Sequence, residues 1–269
     1  MVKIYTDTNA LRYFGSAFAK TDLAEDLRAH LLLSPIAVME LISQIGTAGA
    51  EEAFAAVHAL PHIHNAAGTG MLPWADDFFR ISLFNLPPAK DTITPALNNA
   101  VVNVLNAAKA EDLLAEAKEM RTLLDKAKDE AANNFSAVLS AWRSEGPLSE
   151  AEDKAIFARS IARQAGFDET KVEAELVAKS LDAYYIFEHS RMQVGAQHVG
   201  YNVAKHANDV WDAELLIYLA DSTLHLLTCD KGFRRIEKSH QASRVHIADS
   251  TCLKDAKCAS ALLRTILGV

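Results

Sequence analysis

The sequence predicts an α/β fold with a central parallel sheet, interrupted by a mainly α-helical insertion. Two observations lead to this prediction: short apolar strands alternate with helical segments near both termini, and the stretch between them is almost entirely helical in pattern. Alternating strands and helices are typical of a parallel sheet covered by helices. We therefore expect a discontinuous α/β domain formed by residues 1–50 and 201–269, and a helical subdomain formed by residues 51–200.

The elements of the expected sheet lie close to the two termini. A β-prone run from Val2 to Tyr5 opens the chain, and helical patterns follow at Thr21–Arg28 and Glu40–Ile45, the second reached through the apolar run SPIAVMEL. Near the C-terminus, DAELLIYLADSTLHLLTCD predicts a helix followed by a strand, and RVHIAD predicts another strand. Strands separated by helices in this way favour parallel pairing.

The predicted insertion contains a long amphipathic helix. Its apolar residues are three or four positions apart, which is the period of one helix face; they are Leu113, Ala117, Met120, Leu124, Ala127, Ala131, Phe135, Val138 and Trp142. Two more helices are predicted at Glu150–Gln164 and Asp168–Arg191. Because a large exposed apolar stripe is unfavourable, we expect the segments Ile156–Ile161 and Leu176–Phe187 to cover it, in preference to a second subunit.

Composition narrows the class of protein. The chain has 269 residues, of which 50% are hydrophobic and 23% are charged, as in globular proteins. Its formal net charge of −8 argues against coating nucleic acid through overall charge, although a local basic rim is compatible with it. Cys229, Cys252 and Cys258 form no CxxC pair, which predicts no disulfide framework and a reducing compartment. No signal peptide or membrane span is evident, so a soluble cytoplasmic protein is expected.

Four acidic residues stand where predicted strands end or predicted helices begin. They are Asp7, Glu40, Asp212 and Asp230. Each one alone is better explained without a function: Asp7 and Asp212 as helix caps, Glu40 as a solvated helix residue and Asp230 as a turn residue. Only their joint pattern favours a site. In an open parallel sheet, however, these positions share one edge, where clustered carboxylates would repel one another. Mg²⁺ or Mn²⁺ would relieve that repulsion, whereas histidines and cysteines at zinc-binding spacings are not evident.

The order of these segments resembles a PIN domain. The resemblance is carried by YTDTNAL, SPIAVMEL and DAELLIYLADSTLHLLTCDKGF, and covers about Met1–Ala50 and Asn202–Asp249. The four acids match the acidic positions of the family one by one, and Thr228 and Phe233 match its final turn. The resemblance implies a three-layer α/β/α fold and a Mg²⁺- or Mn²⁺-dependent endoribonuclease. Such an enzyme hydrolyses phosphodiester bonds, commonly in single-stranded RNA, with metal-activated water. The resemblance does not extend to the helical insertion.

Further residues are candidates for supporting roles. Asn9 and Thr228 could hold ligands or water by hydrogen bonds. Asp209 precedes Asp212 by almost one helical turn, so either could be the inner metal ligand; the spacing favours Asp212, with Asp209 supporting it. Basic residues near the motif ends could neutralise phosphates or could be solvated surface charge; they are Arg12, Lys205, Lys231, Arg234 and Arg235.

Two other classes of function stay open at the level of sequence. A catalytically idle PIN-like module could act in binding or assembly through its helical insertion, although an idle site has no need of four acids. A phosphatase of the haloacid dehalogenase type needs a second aspartate where this chain has Asn9. RNA is the expected partner, a homo-oligomer or an antitoxin-like protein is an alternative, and no membrane association is expected.

Overall fold

The computed structural model describes residues 1–47, 50–63, 70–89, 93–198, 200–206 and 208–269. These residues are mainly helical and surround a four-stranded parallel sheet, which confirms the mixed α/β class. The strands are β1 (Lys3–Thr6), β2 (Leu31–Leu32), β3 (Leu224–Thr228) and β4 (Val245–Ile247). Both predicted C-terminal strands are present, whereas the two-residue β2 lies within an apolar run that predicted only the approach to a helix.

The strand order across the sheet is β2-β1-β3-β4, and every neighbouring pair is parallel. After β1 the chain forms β2 on one side, then returns to place β3 on the other side of β1, with Lys3 opposite Leu224 and Thr6 opposite Leu227. The order of the strands therefore reverses between β1 and β3. In open parallel sheets, ligands bind beyond the carboxyl ends of the strands at such a reversal.

Helices cover the sheet and fill the region between β2 and β3. In chain order they are α1 (Thr8–Ala17), α2 (Glu25–Arg28), α3 (Pro35–Gln44), α4 (Ala50–His58), α5 (Leu60–Ile63), α6 (Ala75–Phe78), α7 (Ile93–Asn106), α8 (Leu114–Glu145), α9 (Glu150–Gln164), α10 (Ala174–Ser180), α11 (Asp182–Gln197), α12 (Asp209–Ile217), α13 (Ser250–Leu253) and α14 (Ala256–Leu267). Among the described residues, no helix is long and apolar enough to cross a membrane.

Three helix boundaries differ from those expected. The segment Thr21–Arg28 is helical only from Glu25. Helix α3 begins at Pro35, where the Ser34 hydroxyl accepts a hydrogen bond from the backbone N–H of Ala37, so Glu40 lies inside this helix rather than at its start. The helix expected over Asp168–Arg191 is broken at Leu181 into α10 and α11.

The stripe of α8 is buried in two separate parts. Leu113, Ala117, Met120 and Leu124 join the core formed with α3 and α1. Phe135, Leu139 and Trp142 pack with Met192 of α11. Val138, expected in the stripe, is 48% exposed. The expected cover by Ile156–Ile161 and Leu176–Phe187 is therefore wrong. Ile161 and Phe187 belong to a different buried cluster, and α3 and Met192 of α11 pack against the stripe instead.

The predicted insertion shares its hydrophobic core with the sheet. One cluster joins Ile4 and Leu41 to Ala56, Leu97 and Met120. A second joins Tyr5 and Leu226 to Phe79, Ile161 and Phe187. In addition, Leu33 pairs with Met71 in an isolated parallel bridge. Residues 51–200 therefore form no free arm, because their described helices complete the core on which the sheet rests.

A disulfide joins Cys252 in α13 to Cys258 in α14, with Cα atoms 5.2 Å apart. The sequence did not predict this bond, since it indicated only that the three cysteines form no disulfide framework. A turn between two short helices folds the chain back on itself and brings together two cysteines whose spacing matches no recognised motif. Cys229 is free and partly buried. The bond closes the corner formed by α13 and α14, both of which pack against α1.

Candidate functional site

Asp7 occupies the end of β1 and caps helix α1. Its Oδ1 atom accepts a hydrogen bond from the backbone N–H of Ala10 at 2.7 Å, and its Oδ2 atom accepts one from the Thr228 hydroxyl at 2.6 Å. The side chain is buried, and this burial raises the pKa of Asp7 to about 6 although both hydrogen bonds oppose the change; the charges of Asp230 and Glu40 raise it further. Asp7 is thus both a helix cap and a carboxylate poor in positive partners.

Thr228 connects Asp7 with Asp230. This fully buried threonine ends β3, donates its hydroxyl hydrogen to Asp7 and accepts a hydrogen bond from the backbone N–H of Asp230 at 2.9 Å. Asp230 in turn accepts a hydrogen bond from the backbone N–H of Gly232 at 2.6 Å. A Cβ atom at position 232 would lie 3.0 Å from Asp230 Oδ1. Glycine at that position allows the close approach, and one hydroxyl fixes both acids at neighbouring strand ends.

Glu40 reaches the same edge from α3. The hydroxyl of Thr8 donates a hydrogen bond to the Glu40 carboxylate. Burial raises the pKa of Glu40, while the Thr8 hydrogen bond and the positive charges of Lys128 and Arg12 lower it. Lys128 belongs to α8, so the long helix of the insertion places a cation beside the candidate site. No motif in the sequence points to Lys128, because only the packing of α8 on α3 brings it there.

Asp212 lies in the first turn of α12 and is partly buried. Burial raises its pKa to about 8, and the charges of Asp230, Asp7, Glu40 and Asp209 raise it further. Within the described part of the chain, its carboxylate makes no hydrogen bond or ion pair. The four predicted acids therefore lie near enough for their charges to act on one another.

The acids do not form a closed coordination shell as they are placed. Among the described residues, no group of three or more histidine, cysteine, aspartate or glutamate side chains is arranged to hold a metal ion. Carboxylates without a counterion repel one another, and this repulsion favours separated side chains. The donor set is nevertheless of the type that suits a hard divalent cation, since it consists of carboxylate oxygens.

Asp209, the alternative inner ligand, is already paired. Its Oδ2 atom lies 3.0 Å from a guanidinium nitrogen of Arg235 and 3.6 Å from Nε of Arg191. Arg191 is buried and also pairs with Glu188 at 2.5 Å. Asp209 thus belongs to an ion-pair network that joins α11, α12 and the turn after β3. Two arginines already neutralise Asp209, whereas Asp212 has no ion-pair partner among the described residues. Asp212 is therefore the better candidate for a metal ligand.

The remaining predicted residues are distributed unevenly. Asn9 is exposed, and its side chain makes no hydrogen bond to the acids in the described structure; Thr8 and Thr228 make such bonds instead. Arg12 donates to the side chain of Gln44. The side chains of Lys205, Lys231 and Arg234 are exposed and have no ion-pair partner among the described residues, whereas Arg235 pairs with Asp209.

Comparison with known proteins adds no assignment. No protein-family model matches the chain, and neither a curated protein nor a solved structure matches it. The interpretation of the site therefore depends on its own residues: four acids from four elements, two hydroxyls that position them, and a small number of nearby cations.

Proposed function

We propose that the protein is a Mg²⁺- or Mn²⁺-dependent endoribonuclease with a PIN-like, three-layer α/β/α core. One observation carries the proposal: burial raises the pKa values of Asp7 and Asp212 to about 6 and about 8, and the charges of Asp230 and Glu40 raise both further. Acids with strongly raised pKa values are common at functional sites, which supports a functional role for this set. The reversal of strand order at β1 and β3 supports the same location.

The chemical fit is to a hard divalent cation. A cation bound by these four carboxylates would offset their repulsion and lower the raised pKa values of Asp7, Glu40 and Asp212. When bound, it would activate water and stabilise negative charge on the phosphoryl oxygens. The protein's own hydroxyls have a positioning role: Thr228 fixes Asp7 and Asp230, and Thr8 fixes Glu40.

Substrate binding needs local positive charge, because the whole chain carries a net charge of −8. Lys128 lies near Glu40, and exposed Lys231 and Arg234 follow directly after Asp230. Arg12 acts on Glu40 from α1, and Lys205 is an exposed cation that precedes α12 along the chain. We assign these cations to phosphate contacts along single-stranded RNA, where such contacts provide affinity and not sequence selectivity.

Cleavage of a mixed RNA pool tests the proposal. Purified protein is incubated with Mg²⁺, with Mn²⁺ or with EDTA, and Asp7→Asn is compared with Asp125→Asn, an exposed acid on α8 that serves as a matched control. We expect cleavage only with a divalent cation and a loss of at least about 100-fold in Asp7→Asn alone, since the substitution keeps size but removes charge. Equal cleavage in EDTA or by Asp7→Asn would contradict the proposal.

A second candidate function is a PIN-like module that binds or assembles without cleaving. The open arrangement of the acids in the described residues favours this alternative, as does the size of the helical region between β2 and β3. It predicts RNA or protein binding that is unchanged in Asp7→Asn and needs no divalent cation. The cleavage experiment therefore separates the two candidates.

A further inference from the structure

A small pocket of about 240 Å³ lies between the C-terminal part of α11, the segment that follows this helix and the turn after β3, which spans Lys231–Ile236. No acidic side chain lines it among the described residues, and its polar lining residues are Arg191, His198, Tyr201, His206 and Arg235. Pockets for organic ligands usually measure about 300–1,000 Å³. The size and the lining therefore suit a small anion with its waters better than a whole nucleotide.

The two arginines give the pocket its positive charge. The side chain of Arg235 is 40% exposed, and among the described residues its guanidinium donates a hydrogen bond only to Asp209, at 3.0 Å. Because a guanidinium has five N–H donors, Arg235 can donate to a ligand as well. Arg191 is buried beneath the Phe135 ring and pairs with Glu188. It therefore supplies charge at the wall, whereas Arg235 supplies accessible donors.

Two histidines add further donors. The side chain of His206 is 42% exposed, and that of His198, at the end of α11, makes no hydrogen bond with any described residue. An imidazole ring carries at least one N–H in either protonation state. Together with Arg235, the histidines present N–H donors from three separate segments of the chain. A phosphate group, whose oxygens accept several hydrogen bonds at once, matches such a set.

Other classes of ligand fit this pocket less well. The rings of Tyr201 and His206 are stacked on each other, 4.7 Å apart and within 7° of parallel, so each covers a face on which a base would stack. A metal cation would meet a lining without carboxylates. The acids that pair with the arginines, Asp209 and Glu188, lie outside the lining.

The pocket adjoins the candidate nuclease site through α12. Asp209, at the start of this helix, pairs with Arg235, and its negative charge also raises the pKa of Asp212. Arg235 itself belongs to the turn that Asp230 begins. An arginine of the pocket and two acids of the site are thus connected through neighbouring groups. An RNA strand that reached the four acids would bring another of its phosphates to the pocket.

We propose that this pocket binds a phosphate group, and that in RNA this group belongs to a nucleotide neighbouring the cleaved phosphate. Only the second part rests on the proposed nuclease function. Arg235, His198 and His206 donate hydrogen bonds to the phosphate oxygens, and Arg191 adds positive charge. Since contacts to phosphate position a strand and do not read its bases, the pocket sets where the strand lies relative to the acids.

Binding of inorganic phosphate tests the pocket without RNA or metal. Sodium phosphate is titrated into the full chain in EDTA, at an ionic strength held constant with chloride, and heat of binding is recorded. We expect the wild type to bind one phosphate saturably. Arg235→Gln should weaken binding about tenfold, because it removes charge-assisted hydrogen bonds. Arg159→Gln changes an exposed arginine on α9 outside the pocket and should bind as the wild type does.

A second variant and a wild-type signal keep the test decisive. His206→Phe keeps a ring stacked on Tyr201 but removes the N–H donor, so it should also weaken phosphate binding. In the wild type, phosphate should shift the nuclear magnetic resonance signals of the His198 and His206 rings, but not those of the sheet histidines at positions 225 and 246. Absence of saturable binding, wild-type affinity in both folded variants, or unshifted pocket histidines would overturn the proposal.

Two RNAs identify the source of the phosphate. Single strands of one sequence, with hydroxyls or with phosphates at both ends, are bound in EDTA by the wild type, Arg235→Gln and Arg159→Gln. If the pocket holds an internal phosphate, Arg235→Gln weakens both RNAs equally and lowers the salt slope by about 0.7, and Arg159→Gln changes neither. A loss confined to the phosphorylated RNA would assign the pocket to a terminal phosphate and overturn its placement beside the cut.

The outcomes separate this inference from the proposed function. Phosphate binding that depends on Arg235, without RNA cleavage under any cation, would support the pocket and overturn the nuclease. Metal-dependent cleavage by a chain that binds no inorganic phosphate would overturn the pocket and leave the nuclease intact.

Discussion

At the scale of single residues, the acids are positioned chiefly by hydroxyl groups. Thr228 donates to Asp7 and accepts from the backbone of Asp230, and Thr8 donates to Glu40. The sequence allowed the four acids to be predicted because strand ends and helix starts are recognisable in it. It did not distinguish Thr8 from Asn9, since the direction of neighbouring side chains depends on the packing of α1 against α3. Lys128 was unpredictable for a similar reason.

Removing the central hydroxyl should disturb two acids together. In Thr228→Val the buried Asp7 carboxylate loses a hydrogen bond and the backbone N–H of Asp230 loses its acceptor, so we expect a stability loss of about 2–4 kcal/mol. The rate of metal-dependent cleavage should fall by more than the loss of folded protein explains, because the acids are no longer fixed in the folded molecules that remain. Urea unfolding and RNA cleavage measure the two effects.

Thr122→Val provides the control for this substitution. Thr122 is exposed on α8, and its hydroxyl bonds only to the backbone carbonyl of Lys118. It should keep both wild-type stability and wild-type activity. If Thr228→Val matched this control in both measurements, the bridging role of Thr228 would be refuted.

The raised pKa values predict that the metal-free protein loses stability as pH rises. Burial keeps the folded-state pKa of Asp212 at about 8 and that of Asp7 at about 6, against 3.8 in the unfolded chain. The folded state therefore binds more protons, and stability falls between pH 3.8 and 6 through both groups and up to pH 8 through Asp212. Each group costs about 1.4 kcal/mol per pH unit within its window.

Thermal unfolding in EDTA at pH 6 and pH 8 checks this dependence. Asp212→Asn should remove part of the decrease; the part caused by Glu214, whose pKa is also raised to about 8, should remain. Mg²⁺ or Mn²⁺ should restore stability at pH 8 in the wild type and less so in Asp212→Asn. A wild-type melting temperature that does not change with pH or with cation would contradict the prediction.

At the scale of elements, the hydrophobic period predicted where helices form better than it predicted which helices pack against one another. The span of α9 agrees with the sequence because a capping box formed by Ser149 and Glu152 starts it. The break between α10 and α11 was missed because it depends on a distant residue. Buried Gln241 accepts a hydrogen bond from the N–H of Ala183 and donates one to the carbonyl of Ser180, which satisfies the backbone at the break.

The two parts of α8 allow a matched test of packing. Leu124 is 4% exposed in the core against α3, whereas Val138 is 48% exposed on the same helix. Leu124→Asp should cost several kcal/mol, because it buries a charge without a partner. Val138→Asp should cost less than about 1 kcal/mol. Urea unfolding compares the variants, and equal stability of the two would show that α8 does not pack as described.

At the scale of the whole molecule, the sheet and the helices between β2 and β3 depend on one another. The sequence indicated the parallel sheet and its discontinuity, because both ends of the chain alternate strands with helices. It did not indicate that the two predicted units share clusters of buried residues. Such sharing arises when the apolar face of one helix packs against that of another. A single sequence shows which helix faces are apolar, but it does not show which of them pack together.

Shared cores predict one cooperative unfolding transition. Ile4 of β1 and Met120 of α8 belong to the same buried cluster, so loss of either region removes the packing of the other. Tryptophan fluorescence reports on local surroundings at positions 74, 142 and 211, whereas far-UV circular dichroism reports on the helices of the whole chain. If unfolding is cooperative, the two signals should give superimposable urea curves. Two separated transitions would indicate independent units.

The pairing of β1 with β3 has a consequence for synthesis of the chain. The hydroxyl of Thr228 and the carboxylate of Asp7 are 221 positions apart along the sequence. At ribosomal rates of about 5–20 residues per second, Asp7 waits roughly 10–45 s before Thr228 and Asp230 are made. A nascent chain therefore has the first acid long before the last. The proposed nuclease site can therefore be assembled only after β3 has emerged from the ribosome.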